Sequence, residues 1–148
     1  MEFVSQFSYS LKARARNPKK VYAIDTGIIS ATSTSSTDDI GRRLENLIYL
    51  HLRRQFKELY YFKEKGECDF VAFVKGKATL AVQVCYKIDD DNFEREYNGL
   101  LEAMAFLKLS EGIIVTFDQK DHFEKEEYLV RILPAYEFMN TAPNTGKD

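Results

Sequence analysis

The chain has only two cysteines and two histidines in 148 residues. Cys68 and Cys85 each fall inside an apolar, strand-like run, so a loop-rich disulfide framework is excluded and a reducing compartment is expected. No Cys or His near His51 completes a zinc set. A G-x-x-x-x-G-K-[ST] motif is missing, which excludes ATP binding through a phosphate loop in this chain. There is no unbroken apolar run long enough to span a bilayer and no signal-peptide pattern, so a soluble, cytoplasmic protein with no membrane partner is expected. Excess positive charge is lacking too. A net charge of -2 and a pI near 5.8 exclude a globally basic nucleic-acid coat protein and leave room for a local basic patch.

What is present is enough for one globular domain: 45% hydrophobic and 30% charged residues can bury a continuous core. The organising stretch is Gly66-Glu67-Cys68-Asp69-Phe70-Val71-Ala72-Phe73-Val74, a Lys75-Gly76-Lys77 turn, and the run Ala78-Thr79-Leu80-Ala81-Val82-Gln83-Val84-Cys85-Tyr86. Two β-rich runs around a Gly-centred connection predict a hairpin. Alternation puts Glu67 and Asp69 on one face, and Gln83, Cys85 and Lys87 on one face of the partner strand. A carboxylate between Cys68 and Phe70 must meet a cation, a donor or water.

Residues 1–20 read as an N-terminal arm: Phe3, Phe7 and Tyr9 could pair as an edge strand, and the basic run from Lys12 to Lys20 reads as a solvated linker. A short strand, Val21-Tyr22-Ala23-Ile24, ends in an Asp25-Thr26-Gly27 turn, and a Ser/Thr-rich loop covers residues 32–37. The main helix starts at Thr37 or Asp38 and runs to about Phe56. At about 100° per residue, Ile40, Leu44, Leu47, Ile48, Leu52 and Phe56 form its apolar stripe. Glu45 falls inside that stripe, where an ionised group is costly unless something inward-facing needs it. The Arg42-Arg43 and Arg53-Arg54 pairs face either phosphates or plain solvent.

A strand at residues 59–62 leads into the hairpin, Asp89, Asp90 and Asp91 offer N-caps, and Phe93, Tyr97, Leu100, Leu101, Met104 and Leu107 mark a second helix, flanked by Glu96. A strand at residues 112–117, a charged loop at 118–127, a strand at 128–133 and a Pro134-initiated helix close the chain before a polar tail at 140–148. Helices interleaved with strands predict an α/β sandwich with a central mixed β-sheet flanked by helices, here over residues 21–139. A helix packed on the hairpin would bring Glu45 toward Asp69, with Gln83 from the next strand. Such oxygen ligands suit Mg²⁺, which polarises phosphoryl oxygens and lowers the pKa of bound water.

The helix glutamate Glu45, then Glu67-Cys68-Asp69-Phe70 and Gln83-Val84-Cys85, resemble the motifs of the PD-(D/E)XK nuclease superfamily. With residues 17–27 (Asn-Pro-Lys-Lys-Val-Tyr-Ala-Ile-Asp-Thr-Gly), Gly41-Arg42-Arg43-Leu44-Glu45-Asn46 and Arg95-Glu96, the chain is similar over about residues 7–138 to a C-terminal domain of unknown function in prokaryotic AAA+ ATPases. The resemblance implies a restriction-endonuclease-like fold, with Glu45, Glu67, Asp69 and Gln83 around Mg²⁺. It also implies Glu45, Asp69, Gln83 and Lys87 as the catalytic set, DNA as a partner, and an ATPase domain of the same or a parent protein as another. Gln83 stands where the family shows a carboxylate and Cys85 where it shows the lysine, so the site is expected to be catalytically depleted. Lys87, about 7 Å further along the strand, is the candidate substitute amine. The expected function is a nuclease-like module that binds nucleic acid or a partner, with Mg²⁺-dependent DNA cleavage as the alternative.

Overall fold

The computed structural model describes residues 1–24 and 37–141. The expected turn at 25–27, the loop at 32–36 and the end of the polar tail lie outside the described residues. Within them the elements are β1 (Glu2–Gln6), α1 (Leu11–Arg16), β2 (Lys20–Tyr22), α2 (Thr37–Gln55), β3 (Glu58–Lys63), β4 (Glu67–Val74), β5 (Lys77–Val84), α3 (Phe93–Leu107), β6 (Glu111–Thr116), β7 (Asp121–Lys125), β8 (Tyr128–Pro134) and α4 (Ala135–Asn140).

The strands form one mixed sheet in the order β2-β1-β3-β4-β5-β6-β8-β7. Its centre, β3-β4-β5, is antiparallel, while β1 lies parallel to β3, β5 to β6 and β6 to β8. The hairpin forms as its sequence predicts. Lys75 (φ 52°) and Gly76 (φ 75°) make a two-residue turn of the left-handed kind whose twist matches the strands.

Helices cover both faces. On one, Leu44, Ile48, Tyr49 and Leu52 of α2 pack with Phe70, Ala72, Val82 and Val84 of the hairpin and with Phe138 of α4. On the other, Leu100, Ala103, Met104 and Leu107 of α3 pack on Cys68, Val71, Phe73, Ala81, Ile114 and Val130. Alternation along β4 and β5 feeds both layers, which is why these strands read as nearly continuous apolar runs. The α2 stripe is buried at Leu44, Ile48, Leu52 and Phe56, whereas Leu47 is 38% exposed and the unforeseen Tyr49 is fully buried, stacked on Tyr22 with ring centroids 4.4 Å apart.

Four local expectations change. Residues 2–6 are not an arm before the domain: β1 lies inside the sheet, between β2 and β3. The basic run is not a plain linker either, because Leu11–Arg16 is a helix capped by the Ser10 hydroxyl, which accepts the Ala13 N–H at 3.2 Å. Asp121–Lys125, expected within a charged loop, pairs with β8 as an edge strand; exposed charges suit an edge that should not recruit another strand. Asp89 does not cap α3 directly: its carboxylate accepts the Asp91 and Asn92 N–H groups and shapes the turn before the helix.

Candidate functional site

The hairpin strands separate where the site begins. Phe70 pairs with Val82, but Asp69 and Gln83 are not paired with each other, although Gln83 still pairs with Ile114 of β6. On the other side of β4, Tyr60 pairs with Val71 and Phe62 with Cys68, so Tyr61 alone faces Asp69 and Phe70. That extra residue is a bulge, and bulges re-aim side chains at sheet openings. Side chains take over the bonding across the gap. Asp69 N–H donates to Gln83 Oε1 at 2.9 Å, Val84 N–H donates to Asp69 Oδ2 at 2.8 Å, and Gln83 Nε2 donates to the Glu67 and Glu96 carbonyls at 2.7 and 3.3 Å.

A cavity of about 430 Å³ opens at this fork, lined by Lys20, Glu45, Glu67, Asp69, Gln83, Glu96 and Arg95, with Lys63 and Lys65 at the same opening. The structure therefore brings together Glu45, Glu67, Asp69 and Gln83, as the sequence suggests. It does not bring Lys87. β5 ends at Val84 and Lys87 is exposed in the following turn, where its carbonyl accepts the Asn92 amide at 2.9 Å.

The amine in the cavity is Lys20, at the start of β2. Its Nζ lies 2.6 Å from Glu67 Oε1 and 3.1 Å from Asp69 Oδ1, and 5.2 Å from the centre of the Tyr61 ring. Burial opposes its charge, but the carboxylates of Asp69, Glu45 and Glu67 outweigh burial and hold the ammonium protonated beyond its ordinary range. The sequence hid Lys20 in a basic cluster. Strand alternation was the available signal: Lys20 shares the inward face with the buried Tyr22, while Val21 between them is 51% exposed.

Tyr22 joins α2 to the site, its hydroxyl donating to Glu45 Oε2 at 2.6 Å. Asn46, next to Glu45, is buried and holds the end of β2 by accepting the Ala23 N–H and donating to the Ala23 carbonyl, both at 2.9 Å. The position of Glu45 is thus fixed from both the helix and the strand. Glu96 comes from the first turn of α3, which lies close because Gly99 has no side chain; a methyl group there would collide with the Glu67 carbonyl oxygen.

Carboxyl groups crowd the inner part of the cavity, where Glu45, Glu67, Asp69 and Glu96 meet Lys20, with Lys63, Lys65 and Arg95 at its opening. Burial, and then the Glu45 charge, push the Asp69 carboxyl up to about 7 even though Lys20 and the Val84 N–H favour its ionised form. Burial likewise raises Glu96 against the pull of Arg95. Outside the cavity, Cys68 is a buried small hydrophobe whose thiol donates to the Val82 carbonyl, and His51 bonds Gln55 on the flank of α2. His122 is exposed on β7.

The donor set does not fit a resident Mg²⁺ in the manner the resemblance implies. Gln83 Oε1 is neutral and already accepts a backbone N–H, and both Asp69 oxygens are engaged, one by the Val84 N–H and the other by the Lys20 ammonium. Among the described residues no group of three or more His, Cys, Asp or Glu side chains is placed to hold a metal ion. Also among them, no helix is long and apolar enough to cross a membrane.

In comparisons with known proteins, the chain is 34% identical over 146 residues to an uncharacterized protein of Methanocaldococcus jannaschii, an alignment covering 90% of this chain and 32% of that one. The chain thus spans about a third of the length of the curated relative it matches. No family model matches the chain. No solved structure matches it either.

Proposed function

We propose that this chain is a PD-(D/E)XK-type, restriction-endonuclease-like domain that holds nucleic acid without cutting it, and that it works beside an ATPase domain of the kind its motifs resemble. The observation that carries the reading is the Lys20 ammonium seated on Glu67 and Asp69, two of the carboxylates that the resemblance would place around a metal. Gln83 adds to it, because its neutral amide ties the strands together, accepting the Asp69 N–H and donating to the Glu67 carbonyl, where the family pattern has a carboxylate. The rim supplies the affinity. Lys63, Lys65 and Arg95 surround the opening and are exposed, as phosphate contacts that fix position without reading bases should be.

Anisotropy of labelled single- and double-stranded oligonucleotides tests this. The wild-type chain is expected to bind them in a salt-dependent manner, and a Lys63→Ala/Lys65→Ala/Arg95→Ala variant to bind more weakly with a shallower salt slope, by about 0.7–0.9 per lost phosphate contact. Binding that is absent, or indifferent to the rim, contradicts the reading.

One observation favours the cleavage reading. Lys20 and Glu96 place an amine and a further carboxylate in the cavity, the two group types that Cys85 and Gln83 displace from the family pattern. Plasmid cutting in Mg²⁺ or Mn²⁺ that disappears in Asp69→Ala would establish it.

A further inference from the structure

We propose that a second pocket, between α2 and the ends of β5 and β6, receives one unstacked nucleobase, so that the domain favours unpaired bases over a closed duplex. The inference deepens the reading of this chain as a nucleic-acid-holding module and rests on it for the identity of the occupant. The pocket has a volume of about 320 Å³ and is lined by Ile40, Arg43, Leu44 and Leu47 of α2 with Tyr86 and Phe117. Positions 40, 43, 44 and 47 share one face of the helix. Tyr86 and Phe117 follow just beyond the C-terminal ends of β5 and β6, which run parallel. Ligands of open α/β sheets gather outside such strand ends.

The acid cavity and this pocket adjoin. On α2, Glu45 lines the first and Leu44 the second; after β5, Val84 lines the first and Tyr86 the second. A nucleic acid held at the rim of the cavity thus meets the pocket on the same side of the molecule.

The lining suits a flat group with apolar faces. The Tyr86 and Phe117 rings are already stacked, with centroids 5.1 Å apart and 22° between their planes, and the Phe117 N–H donates to the Tyr86 carbonyl at 3.0 Å. Backbone therefore holds the pair in place. Phe117 is 53% exposed and Leu47 38%, two large apolar side chains left in water beside one pocket. Every base offers a π-face to such a stack. Arg43 brings a guanidinium to the lining, the planar donor that meets base-edge acceptors or a phosphate. Lys87, exposed in the turn after Tyr86, adds positive charge beside it. Size decides against a protein occupant. About 320 Å³ lies at the lower end of the roughly 300–1,000 Å³ of small-ligand sites, room for one ring system and not for the row of side chains a docking helix inserts.

Fluorescence anisotropy with three probes of one length tests the proposal on the full chain: a single strand, its duplex, and a strand of abasic sites that keeps the phosphates and lacks the bases. The wild-type chain is expected to bind the single strand at least about fivefold more tightly than either of the others, the smallest gain from one base stacked on an aromatic side chain. Phe117→Leu and Tyr86→Leu each keep apolar bulk and remove a π-face, and either should erase that advantage while leaving the salt slope unchanged. Equal binding of the single strand and either other probe, or an advantage that survives both variants, would overturn the proposal. A dimer in sedimentation velocity that Phe117→Leu dissociates would overturn it too. Adenosine carries no phosphate and probes the pocket alone. At millimolar concentration it should move the NMR signals of Tyr86, Phe117 and the Leu47 methyl groups, and signals that stay in place would overturn the proposal. A failed rim experiment with these shifts present removes the functional reading and keeps the base site. A rim that governs binding, with no gain from the bases and no adenosine shifts, does the opposite.

Discussion

Asp69 and Gln83 face each other where β4 and β5 part, and they join the strands through side chains: the Gln83 amide accepts the Asp69 N–H at 2.9 Å, and the Asp69 carboxylate accepts the next strand's Val84 N–H at 2.8 Å. An amide is required at position 83 because the same side chain must also donate to the Glu67 and Glu96 carbonyls. A carboxylate can only accept. Gln83→Glu, which restores the residue type of the nuclease pattern, is therefore expected to destabilise the fold by about 1–3 kcal/mol, the cost of leaving buried groups unsatisfied. Urea unfolding checks it. A variant as stable as wild type would show that the amide's donor role carries no weight.

Gly99 sets how closely α3 approaches β4. Gly99→Ala is expected to cost about 1–3 kcal/mol through overpacking and to shift Glu96 away from the cavity. The unfolding midpoint measures the first effect, and amide shifts of residues 66–69 and 95–97 report the second.

Asp69 gives the pocket a pH signature. Its carboxyl is held above the ordinary 3.8, at about 7, by burial and by the Glu45 charge, against Lys20 and the Val84 N–H. Between those two values the folded chain binds a proton that the unfolded chain has released, so stability from this group is present at the acid end and falls as pH rises. Lys20 is raised above 10.5, so its contribution is intact throughout this window and declines only in alkali. Asp69→Asn cannot ionise. The stability difference between wild type and Asp69→Asn should therefore shift in favour of the variant from about pH 4 to about pH 7, read as unfolding midpoints across that range. A constant difference would contradict the assignment.

Asn46 clasps both backbone groups of Ala23 from inside the core. Asn46→Ala is expected to lose about 1–3 kcal/mol and to speed hydrogen exchange at the Ala23 amide. Unchanged exchange there would mean that β2 is anchored elsewhere.

How much of this was legible in the sequence depends on the kind of signal each residue carries. The hairpin, the α2 stripe and the meeting of Glu45, Glu67 and Asp69 follow from periodicity and from a charge set among apolar neighbours, both local properties. Lys20 escaped because its partners lie far along the chain and its neighbours are basic; only its alternation with Tyr22 marked it as inward. Lys87 misled for the opposite reason. Alternation extended past Val84 predicts a shared face, but the strand ends there and the chain turns. Gln83 was placed correctly in space and misread in chemistry, because nothing local says whether an amide oxygen faces a ligand or a backbone N–H. β7 has almost no apolar alternation and is a strand through its pairing with β8, which local pattern cannot show.

The central claim is that a lysine, not a metal ion, neutralises the acid pocket. A crystal of the wild-type chain soaked in millimolar Mn²⁺ and measured for anomalous scattering tests it most directly. The account predicts continuous density for Lys20 reaching Glu67 and Asp69, with no anomalous peak between them. A manganese peak bonded to Asp69 and Glu45, with Lys20 swung aside in the otherwise unaltered protein, would contradict it.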